Sequence, residues 1–78
     1  MTLQELNDLI DKAIENSAIR PEAMPKTNIL NAEYGLGAIY AYIDIIWKEY
    51  GIDAFCETIE RTEKERNDLL NRTQTIYS

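Results

Sequence analysis

The sequence predicts an all-α protein. It reads as a small three-helix bundle with a long ordered loop between helices 1 and 2 and an antiparallel hairpin of helices 2 and 3. Three observations carry this reading. Apolar residues recur at helical spacing in three runs, from Leu3, from about Asn31 and from about Ala54. Pro21 and Pro25 break the first join and Gly51 breaks the second. The chain has 78 residues, 45% of them apolar. That is enough for one domain, 1–78, with a core in which every buried side chain counts.

Helix 1 is expected from Leu3 to Ala18. Thr2 followed three residues later by Glu5 is a capping box, in which hydroxyl and carboxylate each satisfy an amide that the first turn leaves free. Leu3, Leu6, Leu9, Ile10, Ala13, Ile14 and Ser17 share one face, and Gln4, Asp8, Asp11, Lys12 and Glu15 the other. Ile19 to Asn31 reads as a loop, because each proline lacks an amide and biases the residue before it away from helix. A short turn at Glu22 and Ala23 fits between them. Ile19, Met24, Ile29 and Leu30 are apolar enough to pin this loop to the bundle.

Helix 2 is expected from Asn31 or Ala32 to Tyr50, with Thr27 or Asn28 as earlier possible starts, and Gly51 supplies the left-handed residue that ends it. Asp53 is the expected cap of helix 3, which should run from Ala54 to Arg72 or Thr73. The connection is so short that the two helices must form a hairpin.

Helix 2 carries two apolar bands. Leu36, Ile39, Tyr40, Ile43, Ile46, Trp47 and Tyr50 form a wide one. Tyr34, Ala38, Ala41, Tyr42 and Ile45 form a narrower one roughly opposite, with Glu33, Asp44 and Lys48 along one seam. A helix apolar on two sides is normally buried on two sides. One reading covers the two bands with helices 1 and 3. The other leaves the narrow band for a partner chain, whose helix could approach closely over Ala38 and Ala41 beside two tyrosines. A homodimer is the simplest such partner.

In helix 3, Ile52, Phe55, Ile59, Leu69, Leu70 and Tyr77 share a face that Thr62 and Arg66 interrupt. Leu69, Leu70, Ile76 and Tyr77 need a cover. The i,i+4 pairs Glu57–Arg61, Glu60–Lys64 and Asp68–Arg72 read as a solvated face. In a hairpin turning at Gly51, position 66 lies level with Gly37, so the Arg66 stem can cross the glycine and reach Glu33. Asp44, level with about position 59, is the less favoured acceptor.

The chain has no His, which removes His-based nucleophilic catalysis and His-ligated metals. One Cys, Cys56, excludes an internal disulfide and a thiolate zinc cluster, and it reads as a small residue at the core edge in a reducing, cytoplasmic setting. Glu5, Asp8 and Asp11, and separately Glu57, Glu60 and Glu63, have the spacing by which carboxylates on facing helices hold Mg²⁺ or Mn²⁺ in all-α nucleotide hydrolases. Against that use, the helix 1 acids lie opposite its apolar face, and Arg61 and Lys64 interleave the second set. Gly35 and Gly37 have no phosphate-loop partner residues, and Gly37 is read as a site of close packing. No cofactor or metal site is therefore expected. Acids outnumber bases 14 to 8, for a formal charge of −6. That sign disfavours direct nucleic-acid or anionic-membrane binding. No early basic cluster marks an export signal, and the longest apolar stretch, Leu36 to Trp47, is too short to span a bilayer.

The leading expectation is a non-enzymatic, acidic protein-interaction module. It would self-associate or bind a protein partner through Tyr34, Ala38, Ala41, Tyr42 and Ile45, as phage or mobile-element regulators and inhibitors can. A second expectation is an inhibitor whose Asp8, Asp11 and Glu15 occupy a basic nucleic-acid-binding groove of a partner. The third is the carboxylate-metal enzyme.

Overall fold

The computed structural model describes residues 1–74 and contains α1 (Leu3–Asn16), α2 (Pro25–Arg61) and α3 (Glu63–Gln74). Ile76 and Tyr77 lie outside the described residues. The chain is an all-α bundle. α1 packs on α2, and α2 on α3.

α1 starts as its cap predicts. The Glu5 amide donates to Thr2 Oγ1 and the Thr2 amide donates back to Glu5 Oε1, at 3.1 and 3.2 Å. Its end falls two residues before the expected Ala18. Ser17 leaves helical geometry as the C-cap and is almost fully buried, its hydroxyl donating to the Ala13 carbonyl at 2.7 Å.

The join that follows is shorter than expected, because α2 begins at Pro25. Proline is suited to a first helical position: its fixed φ fits and its missing amide is one that a helix start leaves unused. Of the four apolar residues expected to pin this join, only Ile29 is half-buried. Ile19 and Met24 are 63% and 73% exposed, and Leu30 is exposed too. A polar clamp ties it instead. The Arg20 amide donates to Asn28 Oδ1 at 3.0 Å, and Asn28 Nδ2 donates to the Arg20 carbonyl at 3.1 Å. Within the clamp the Ala23 amide closes a turn onto the Arg20 carbonyl.

α2 consists of two helical limbs, 25–50 and 52–61, meeting at Gly51, which has φ 88° and ψ −173°. This is the reversal expected of Gly51, in a region that side-chain-bearing residues rarely occupy. Asp53 makes no capping hydrogen bond. The limbs fold back on each other, and Trp47 meets Phe55 edge to face with ring centroids 4.8 Å apart.

The continuous helix expected over 54–72 is interrupted at Thr62, which separates α2 from α3. Thr62 is fully buried, which a polar residue tolerates only when satisfied. Its hydroxyl donates to the Thr58 carbonyl at 2.8 Å and accepts from Arg66 Nε at 3.0 Å. The Arg66 guanidinium also reaches the Ile59 carbonyl at 2.7 Å. This overturns the expected Glu33–Arg66 contact: Glu33 is solvent-exposed and Arg66 spends its donors on its own segment. The interruption at Thr62 frees carbonyls nearby, and a local acceptor needs no second helix to be brought into register. Gly37 is not crossed by any side chain, since nothing lies within 4 Å of where its Cβ would be.

Leu6, Ile10, Ala32, Leu36, Ile39, Ile43, Ile46 and Leu69 form the core. Phe55 and Ile59 pack against it, whereas Ile52 and Leu70 are exposed. Chain directions follow from the cross-contacts. Thr58 bonds Asn7, Arg61 bonds Asp11 and Arg72 bonds the Ser17 carbonyl, so α1 runs parallel to 52–74. Tyr50 bonds the Met1 carbonyl while Gly35 lies against Ser17, so α1 is antiparallel to 25–50. The bundle is up, down, up.

Candidate functional site

The 25–50 limb is the middle of the bundle and positions most of the predicted interface. Its two apolar bands meet different fates. In the wide band Leu36, Ile39, Ile43 and Ile46 are buried, while Tyr40, Trp47 and Tyr50 at its edge are each at least two-fifths exposed. In the narrow band Ala38, Tyr42 and Ile45 are half-buried, with Tyr42 and Ile45 packed against the core. Tyr34, at 75% exposure, and Ala41 face solvent. Thus α1 covers one flank of the narrow band and leaves the other open.

Two features of this open side were not legible as part of the site. Leu30 and Gly37 fall on the same helical row as Tyr34 and Ala41, and both are exposed. The row ends at Asp44 and Lys48, which pair with each other at 2.9 Å. Beside Tyr34, a groove of about 340 Å³ opens between α1 and α2, with Leu9, Ala13, Gly35, Ala38 and Tyr42 in its lining. Helical spacing places Leu30 in the row because α2 starts at Pro25, ahead of the start expected near Asn31.

The predicted acidic surface of α1, Asp8, Asp11 and Glu15, is exposed throughout, and the structure separates the three residues by partner. Asp11 accepts from Arg61 at 2.5 Å, and the same guanidinium donates to Asn7 Oδ1 at 2.8 Å. Asp8 accepts from Gln4 at 2.8 Å, and Glu15 faces solvent. Arg61 therefore serves a tertiary contact instead of the expected pair with Glu57. Arg72 bonds the Ser17 carbonyl instead of pairing with Asp68, and Glu60–Lys64 does not form among the described residues. Glu65 carries a buried Oε2 without a hydrogen-bond partner, beside a cleft of about 230 Å³ shared with Asp11, Ile14, Glu15 and Arg61.

Glu5 is held below the ordinary carboxylate range, first by the Thr2 backbone amide and then by the Thr2 hydroxyl. Among the described residues, no three Asp, Glu or Cys side chains converge in a way that could hold a metal ion. Cys56, expected at the core edge, is exposed. No helix of the described residues is long and apolar enough to cross a membrane.

These features define a class: a small all-α bundle with one helix face left open beside a shallow groove. Comparison with protein-family models, curated proteins and solved structures finds no match to this chain.

Proposed function

We propose that the chain is a non-enzymatic protein-interaction module that docks another protein chain, a second copy or a different protein, along the open side of α2. The observation that carries this is the row Leu30, Tyr34, Gly37 and Ala41, exposed over three turns and uncharged. Gly37 is its most telling member. A glycine in an exposed helix interior costs about 1 kcal/mol relative to alanine. Within the chain nothing approaches it, so the bundle gains nothing from the missing side chain. A partner helix lying across bare backbone would.

The non-enzymatic part of the reading is supported by the absence of His and by the engagement of Asp11 with Arg61. A reducing, cytoplasmic setting belongs to the same proposal and rests on the single unpaired Cys56.

The test is light scattering on the purified chain at tens of micromolar (roughly the range of modest interfaces), alongside affinity capture with wild type and Ala41→Glu. A dimer lost in Ala41→Glu, or a binding protein lost in Ala41→Glu, is the expected result. A monomer whose captured set is unchanged by Ala41→Glu would remove the reading.

A further inference from the structure

The 25–50 limb carries two seams of the same period. Ala32, Leu36, Ile39, Ile43 and Ile46 alternate by four and three residues and are buried in the core. On the opposite side Thr27, Leu30, Tyr34, Gly37, Ala41 and Asp44 alternate by three and four, and all six are exposed. That alternation is the heptad spacing by which one helix packs along another. The bundle covers the inner seam, and no described residue covers the outer one.

The outer seam has a polarity. Its N-terminal half holds the large side chains Leu30 and Tyr34 and begins beside a cation, Lys26. Its C-terminal half holds Gly37 and Ala41 and ends at an anion, Asp44. Within the chain this order has no use. Lys26 is exposed and forms no ion pair among the described residues. It also sits in the first turn of α2, where the helix dipole opposes a positive charge. Nothing comes within 4 Å of the Cβ that Gly37 lacks.

A copy of the same seam running the other way matches each of these features. About a two-fold axis level with the midpoint between Tyr34 and Gly37, Tyr34 lies over the partner's bare Gly37 and Leu30 over the partner's Ala41, each twice. Thr27 faces the partner's Asp44, and Lys26 on the same edge of the seam reaches that carboxylate. Asp44 meets Lys48 through Oδ2, which leaves Oδ1 for a second cation. A shift of one heptad would set Leu30 against Tyr34, or Tyr34 against Asp44. A parallel pair would set tyrosine against tyrosine and leave the two glycines facing a gap. Nor does the net charge of −6 oppose this contact locally, since Lys26, Glu33, Asp44 and Lys48 along this side balance.

We infer that two copies of the chain associate along this seam as an antiparallel, two-fold pair, α2 against α2. The inference rests on the interaction-module reading and gives it one occupant and one orientation. The seam is one helix wide, so the pair belongs at the weak end of specific interfaces.

The experiment is sedimentation equilibrium of the full chain from about 10 μM to about 1 mM, at physiological salt to screen the repulsion between two acidic chains. Amide resonances are recorded over the same range. Wild type should dimerise, with concentration-dependent shifts at Leu30, Tyr34, Gly37 and Ala41. Lys26→Glu and Asp44→Lys should each weaken the dimer several-fold, because the contact occurs twice. An equimolar mixture of these two variants should associate as wild type does, since opposite charges then face each other between chains. A coupling within one chain would give no such recovery. Gly37→Leu has open space around it in the single chain, yet it fills the place of the partner's Tyr34 and should abolish the dimer. Circular dichroism confirms that each variant is folded. Monomer at every concentration, a mixture no tighter than its components, or a dimer indifferent to Gly37→Leu would overturn the inference. If the chain stays monomeric while capture of another protein still depends on Ala41, the module reading stands and only this occupant falls.

Discussion

The side chain that Gly35 lacks is replaced by Ser17. A Cβ built on Gly35 would overlap the Ser17 hydroxyl and come within 2.9 Å of its Cβ. Ser17 is held there by donating to the Ala13 carbonyl and through Arg72, which bonds the Ser17 carbonyl from the third segment. Here α1 and α2 approach closely, and Gly35 and Ser17 both line the adjoining groove. Gly35→Ala is therefore expected to destabilise the fold by about 1–3 kcal/mol, the range for overpacking a filled site. Gly37→Ala, two residues on, meets nothing and should stabilise it by about 0.5–1 kcal/mol. Urea unfolding of the two variants checks this, and equal shifts would contradict the assigned packing.

Arg66 acts as an internal brace at the Thr62 interruption. Arg66→Ala removes its bonds to Thr62 and to the Ile59 carbonyl and is expected to cost about 1–2 kcal/mol. Glu33→Ala should change stability by less than about 0.5 kcal/mol, as exposed substitutions do. A double-mutant cycle between positions 33 and 66 should return no coupling energy.

Glu65 buries a carboxylate oxygen with no donor to meet it. Such a group carries a desolvation penalty that an apolar side chain of similar length avoids. Glu65→Met should raise the melting temperature. A clear fall would contradict an unsupported carboxylate and point to a donor such as Arg61, which lines the same cleft.

The α1 cap depends on pH. The Glu5 carboxylate is held below its ordinary range by Thr2, so its pKa is lower folded than unfolded. A depressed folded pKa contributes stability above the unfolded value, and that contribution is lost as pH falls through the folded one. Glu5→Gln should thus be less stable than wild type at neutral pH, with the difference shrinking toward zero below the ordinary carboxylate range. Thermal melts of both proteins across that window are the check; a gap that persists at low pH would contradict the capping role.

What the sequence made legible were the features set by neighbours along the chain. The Thr2–Glu5 cap, the helical periods and the reversal at Gly51 each depend on a few adjacent residues, and each is present. What it concealed depended on distance. Arg61 and Arg72 have acids four residues before them, yet each bonds α1, about 50 residues away in sequence. Asn28 carries no periodic signal, and its clamp on Arg20 exists only because the chain turns between them. Pro25 was legible in principle, since proline favours a helix's first turn as much as it ends one, but Pro21 close by made a loop the easier reading. For the candidate site, the open row on α2 was half visible as a band of small and aromatic residues. Which flank α1 would cover was not, because Gly35 reads no differently from Gly37 until Ser17 is seen against it.

Gly51 is the sole hinge between the middle helix and the one that returns along it, and its φ of 88° is costly for any other residue. A residue with a side chain there would favour the helical alternative, straightening 25–61 into one rod. The contacts between Trp47 and Phe55, and between Leu69 and the rest of the core, would then be unreachable within one molecule. A second molecule, opened in the same way, could supply them in trans. Gly51→Ala is thus a route to a domain-swapped dimer, in which two chains exchange their C-terminal segments and rebuild the same core twice. One backbone angle decides whether this fold is closed by a single chain or shared between two.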